Sequence, residues 1–188
     1  MTKEVIDMKK ISTKEIVFVG VFAALMAICS WISIPTTVPF TLQTFAVFLA
    51  IGVLSGKLGT LAVLIYVILG AIGLPVFANF TGGMGILLGN TGGYIIGFIA
   101  TALIMWLFET LFGHKNMVLA ISSLLGLIAC YAIGTAWFMF VYTKNVGPES
   151  LATVLSWCVI PFIIPDIIKI ALALVIGERL RKVINKMN

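Results

Sequence analysis

The sequence predicts an all-α, polytopic membrane protein: a single domain over residues 1–188 with six transmembrane helices and both termini on the cytoplasmic side. Three observations carry this. The chain is 61% hydrophobic and only 10% charged, with a mean hydropathy of +1.19, whereas a soluble domain devotes about a quarter of its residues to charge. Charged side chains are absent from 16–56, 58–108, 116–143 and 150–165. The basic residues gather at the two ends, Lys3, Lys9, Lys10 and Lys14 at one and Arg179, Arg181, Lys182 and Lys186 at the other. Basic tails that flank apolar runs mark cytoplasmic ends more readily than a nucleic-acid face.

The turn residues cut the long runs into spans. A first span is expected from Ile16 to about Ser33, ending where Pro35 and Pro39 forbid helix continuation. A second, short one runs from Thr44 to about Ser55, stopped by Gly56, Lys57 and Gly59. The third covers about Leu58 to Leu74, before Pro75. Segment 76–93 is too glycine-rich for a plain helix and reads as a folded or re-entrant loop. Tyr94 to Phe112 is the fourth span and about Met117 to Tyr142 the fifth. The sixth starts near Ser150 and runs through Pro161 and Pro165 towards Arg179. Six spans put Lys57 and the His114–Lys115 turn inside with both termini, as the positive-inside rule requires. No removable signal peptide is expected, because acidic Glu4, Asp7 and Glu15 interrupt the N-terminal lysines and no small-residue cleavage site precedes a long apolar segment.

Two outer loops lack charge yet are rich in hydrogen-bonding groups: 34–43 with Thr36, Thr37, Thr41 and Gln43, and 76–90 with Asn79, Thr81 and Asn90. Non-helical backbone at membrane depth is tolerated where it is buried in protein or lines a cavity, so a pocket is expected on that side. Asp166 and Lys169 are the only charges between Glu149 and Glu178, and three residues apart on a helix they share a face. Each costs about 2.5–3.5 kcal/mol to insert at mid-bilayer. The pair either neutralises itself for packing or builds a polar pocket for a ligand, and intramembrane charge favours the second. The Gly82–Gly83 and Gly92–Gly93 pairs either pack helices closely or hold backbone open beside a ligand, and the pairing favours the latter. Ala23 and Ala27 stack on one face of the first span, a small-residue spacing that lets another helix approach.

Other chemistry finds no support. Cys29, Cys130 and Cys158 are widely separated in apolar runs, with neither metal-ligand nor disulfide spacing. Gly56–Lys57 lacks the following Ser or Thr of a phosphate loop, and Gly83-Met84-Gly85 does not complete a dinucleotide fingerprint. His114 is expected to be solvated and Glu109 to reach headgroup water, so no partnered nucleophile can be assembled. Catalytic and metal sites are therefore not expected, and the chain cannot power uphill transport by ATP alone.

Val38-Pro39-Phe40-Thr41-Leu42-Gln43-Thr44, Gly73-Leu74-Pro75-Val76-Phe77, Gly89-Asn90-Thr91-Gly92-Gly93-Tyr94 with Gly97-Phe98, and Pro165-Asp166-Ile167-Ile168-Lys169 together resemble the BioY family, from about Ala23 to about Lys169 and in the family's order. These are the biotin-specific membrane subunits (S-components) of bacterial energy-coupling factor (ECF) transporters. The resemblance implies an S-component-like fold in the bacterial cell membrane, with biotin bound beneath the first and third loops. It implies no enzyme activity and no cofactor beyond biotin as transported substrate. As partners it implies a transmembrane coupling protein and two cytoplasmic ATPases, with Ala23 and Ala27 at the seam. Its polar pocket maps to Asn79, Tyr94, Asp166 and Lys169, and more loosely to Gln43, Gly82, Gly83 and Asn90. The family often has Pro where this chain has Asn90, a departure that bears on the loop alone.

Biotin offers a ureido group with two N–H donors and a carbonyl, an apolar bicycle and a carboxylate tail. Asp166 can accept from a ureido N–H and Asn79 can pair with either side of that group. Lys169 can meet the carboxylate or neutralise Asp166. The alternatives are an S-component for another vitamin, an intramembrane enzyme using Asp166 and Lys169 as an acid–base pair, and an assembly protein without a ligand.

Overall fold

A computed structural model describes residues 11–186; the basic residues Lys3, Lys9 and Lys10 and the acidic Glu4 and Asp7 lie outside them. Helix α1 (Thr13–Trp31) starts from a capping box in which the Ser12 hydroxyl accepts from the Glu15 N–H and Glu15 accepts from the Ser12 N–H. A two-stranded antiparallel hairpin follows, β1 (Ser33–Ile34) on β2 (Phe40–Thr41), with its turn at Pro35 to Pro39. Then come α2 (Gln43–Leu54), α3 (Gly56–Ala71), a 3₁₀ turn (Ala78–Phe80), α4 (Met84–Leu88), α5 (Gly92–Phe112), α6 (Asn116–Asn145), α7 (Leu151–Cys158) and α8 (Ile160–Lys186).

Among the described residues, four segments are long and apolar enough to cross a bilayer by themselves: α1, α5, α6 and the combined α7–α8. α2 and α3, at 12 and 16 residues, are short of the roughly 20 residues that a span requires. The reason is visible in burial. From Ala46 to Leu54 every α2 residue is covered by protein, so this is an inner rod enclosed by its neighbours rather than a lipid-facing one. A single residue, Ser55 (φ 89°), reverses the chain into α3, and Gly59 lies against Ile51 across the bend.

The chain runs to and fro between two ends. At one, the end of α1 meets the loop after α3: Trp31 Nε1 donates to the Pro75 carbonyl at 2.8 Å, and Ser33 donates to Asn79 Oδ1 at 2.8 Å. At the other, the α2–α3 and α5–α6 turns meet the last part of α8, where Asn116 donates to Glu178 at 2.9 Å. The start of α1 and the end of α8 therefore share that second end.

The second end also corrects the reading of Glu109 and His114. Neither is left to solvent. Glu109 accepts from the Gly56 N–H and pairs with His114 Nδ1 at 3.0 Å, and His114 Nε2 lies 3.2 Å from the Gly52 carbonyl. The pair thus ties the α5–α6 turn to the uncapped start of α3, whose N–H groups otherwise lack acceptors.

Ala23 and Ala27 are corrected too. They are 3% and 6% exposed, covered by this chain's own helices. The outward face of α1 carries Val17, Gly20, Val21, Ala24 and Ile28 instead. Helical phase explains the error: Ala23 and Ala24 both fit a small-residue spacing, and only packing decides which one turns inward.

Candidate ligand-binding site

Beneath the hairpin and the 76–91 loop lies a cavity of about 220 Å³. Helical spacing supplies its walls. Cys158, Phe162, Asp166 and Lys169 follow one another at four-, four- and three-residue steps down α7–α8, and Thr91, at the cap of α5, is followed by Tyr94, Ile95 and Phe98, three, four and seven residues on. Three- and four-residue steps put side chains on one helical face. The α7–α8 break at Val159 has a local cause, since Pro161 cannot donate to the Trp157 carbonyl and its ring crowds that turn. α6 adds Cys130 and Tyr131, and Gln43 and Thr44 project from the start of α2.

The base is an ion pair saturated by neighbours. Asp166 and Lys169 are 2% and 5% exposed. Lys169 Nζ donates to Asp166 Oδ1 at 2.8 Å and to the Thr41 carbonyl at 2.7 Å, and it lies 4.5 Å from the centre of the Phe40 ring. Asp166 accepts further from Thr44 at 2.9 Å and from Tyr131 at 2.6 Å. A carboxylate offers about four lone-pair sites; three are filled, and one remains for a ligand donor. Buried charges persist only when paired in this way.

Gln43 belongs to a second chain of bonds. Its Nε2 donates to the Tyr66 hydroxyl at 2.5 Å, which donates to the Val76 carbonyl at 3.0 Å, anchoring the loop over the cavity. Ser30 Oγ lies 2.6 Å from the same carbonyl. Tyr94 presents its ring to the cavity, and its hydroxyl is 3.2 Å from Thr135 Oγ1. Asn79 sits at the exposed mouth in a left-handed turn (φ 57°) that asparagine tolerates. Phe80 shares that φ, a strained value for an aromatic residue, and is held by stacking on Trp31 at 4.9 Å.

Of the residues read from the sequence, the cavity brings together Asn79, Tyr94, Asp166, Lys169 and Gln43. Gly82, Gly83 and Asn90 are not among its lining residues. Gly82, Gly92 and Gly93 serve close packing, whereas Gly83 meets open space and serves its turn. A Cβ on Gly82 would strike the Leu74 carbonyl, one on Gly92 the Leu87 carbonyl and one on Gly93 the Trp137 side chain. Gly83 adopts φ 94° so that its N–H reaches the Gly70 carbonyl at 2.7 Å. Sequence reasoning missed Tyr131 and Thr44, the two uncharged donors on Asp166. A tyrosine in the middle of an apolar span needs a partner for its hydroxyl, and that signal was available. A second, shallower apolar groove lies between α6 and α7, lined by Ala132, Ala136, Met139, Leu151 and Leu155, and shares Tyr131.

Phe77 is the hinge between loop and helices. Its ring is 1% exposed, meets Tyr66 edge-on at 5.6 Å, and rests on Gly70, where a Cβ would enter the ring. Gly70→Ala is expected to displace the loop, cost about 1–3 kcal/mol by overpacking and weaken ligand binding. Gly20→Ala, which meets open space on α1, serves as the control and should leave thermal unfolding and binding unchanged.

A charged, hydrogen-bonded base roofed by two loops inside an apolar helical bundle defines a multi-pass membrane protein of the solute-binding class. Comparison with known proteins narrows the class. The BioY family matches residues 2–186, and the chain belongs to that family. It is 44% identical over 170 residues to the biotin transporter BioY of Thermotoga maritima, covering 90% of this chain and 96% of the relative. The probable biotin transporter BioY of Pyrococcus horikoshii is 45% identical over 169 residues, covering 89% and 96%. Among solved structures, the S-component for biotin from an ECF-type ABC transporter, a crystal structure at 2.1 Å, superposes with a TM-score of 0.79 at 31% identity, covering 90% of this chain and 91% of that one. The family and these relatives are transporters rather than enzymes.

Proposed function

We propose that the chain is the biotin-binding S-component of an ECF uptake system in the bacterial plasma membrane, crossing it six times with both termini in the cytoplasm. The observation that carries this reading is the roofed cavity with Asp166 and Lys169 at its base, in a fold matched at TM-score 0.79 to a biotin S-component. Asp166 takes a ureido N–H on its remaining lone pair, and the Asn79 amide, whose oxygen is held by Ser33, donates to the ureido carbonyl. The rings of Tyr94, Phe77 and Phe162 cover the bicycle. Gln43 and Tyr66 hold the roof. A transmembrane coupling protein and two cytoplasmic ATPases supply the energy, and lipid surrounds the outer helices.

The detergent-purified chain is expected to bind biotin with neither nucleotide nor metal added. Because ligand that binds only the folded state stabilises by mass action, the gain is about 2.7 kcal/mol when free biotin is roughly 100 times its dissociation constant. Thermal unfolding that ignores saturating biotin but shifts with a different vitamin would contradict the assignment.

A further inference from the structure

We infer that His114 is held as an imidazolium at neutral pH, protonated on both ring nitrogens, and that it closes the end of the bundle opposite the ligand cavity with a clasp that loosens as pH rises. The reason is a count of protons. His114 Nδ1 lies 3.0 Å from Glu109 Oε1, and Nε2 lies 3.2 Å from the Gly52 carbonyl. Both facing atoms are oxygens. A neutral imidazole has one N–H and one bare nitrogen, so beside an ionised Glu109 it would turn a lone pair towards one of the two. The imidazolium donates to both. The proton shared with Glu109 stays on the ring, because a carboxylic acid is the stronger acid by about two pH units.

The helix ends act in the same direction. α2 stops at Leu54, and the Gly56 N–H that would continue its ladder to Gly52 goes to Glu109 instead. The Gly52 carbonyl is thus an orphan acceptor at a helix C-terminus, where a cation is favoured. Glu109 meets the start of α3, where an anion is favoured. The other charges at this end are Lys14 and Glu15 on α1, Lys57 on α3, Lys115 in the turn, and Glu178, Arg179, Arg181, Lys182 and Lys186 on α8; α2 has none. Arg181 acts on Glu109, and Glu178 is engaged by Asn116 and Lys182. Lys57 and Lys115 are exposed to water and salt, which screen them. Loss of the ring proton removes one of the two bonds and the attraction to Glu109. A histidine whose proton is held more tightly in the folded chain gives its full stabilisation below about pH 6.5. That stabilisation is lost as pH rises through the folded-state midpoint, and the tie between the α2–α3 and α5–α6 turns then weakens.

His114 is the chain's one histidine, so isotope-labelled histidine in the untagged, purified full chain gives a single ring in the NMR spectrum. Both ring nitrogens are expected to be protonated at neutral pH, with a titration midpoint above about pH 7. Thermal unfolding, followed from neutral pH to about pH 9, should shift down more steeply in the unaltered chain than in His114→Gln, which keeps a donor but does not titrate there. Glu109→Gln should lower the midpoint, since it removes the anion. A midpoint at or below about pH 7 overturns the inference, and equal slopes in the two unfolding series overturn the clasp. A midpoint that Glu109→Gln leaves unchanged overturns the role of Glu109. Should that variant fail to fold, the titration of the unaltered chain and the His114→Gln comparison decide the matter.

Discussion

Asp166→Ala is expected to abolish biotin binding and to destabilise the protein by about 3–5 kcal/mol, the usual cost of removing one partner from a buried ion pair. The physical cause lies in what remains. Lys169 stays buried with the Thr41 carbonyl and the Phe40 ring, and the Thr44 and Tyr131 hydroxyls lose their acceptor. Lys169→Met should be comparably harmful to folding, because it leaves a buried carboxylate with hydroxyl donors alone. The double variant Asp166→Asn, Lys169→Met separates structure from function. It removes both charges and should recover much of the stability lost by either single charge deletion, yet still bind biotin poorly, since a neutral amide is a weaker acceptor for the ureido donors than a carboxylate. Chemical denaturation and biotin titration on the same preparations read the two effects independently. A double variant that binds like the unaltered chain would make the pair a packing device only.

The second large effect divides the two faces of α1. Ala23→Trp puts an indole into a fully packed core position and should lower stability by about 1–3 kcal/mol or more, with binding and uptake lost together. Ala24→Trp places the same side chain on the outward face, beside Gly20 and Ile28. It should leave unfolding and biotin binding of the purified chain intact while blocking close approach of a coupling helix, which requires small side chains. Uptake by cells carrying the whole transporter would then fall although the subunit still binds. Full uptake by Ala24→Trp would move the coupling surface away from this face of α1.

The sequence revealed the elements more readily than their mutual positions. Charge-free runs and prolines located the first five long helices to within a few residues, because insertion of charge into lipid and proline within a helix both carry large, local costs. The sixth expected span is instead two helices, α7 and α8, and α8 runs on to Lys186. The Asp166–Lys169 pair was legible for the same reason. What one chain cannot encode locally is which neighbour fills a given contact. Tyr131 lies 35 residues from Asp166 and Thr44 lies 122 away, and nothing in their own surroundings names that partner. The phase of α1 escaped likewise, since alanine and glycine occur on both of its faces. Gly82, Gly92 and Gly93 misled because close packing and open backbone demand the same residue. Only the neighbouring carbonyls of Leu74 and Leu87 show that packing is the cause.

A structure of the chain with biotin bound tests the central claim most directly. The expected result is a bicycle in the cavity beneath the hairpin, a ureido N–H on Asp166 and the Asp166–Lys169 pair unbroken. Biotin in the apolar groove between α6 and α7, or in the cavity with its ureido group away from Asp166, would contradict it.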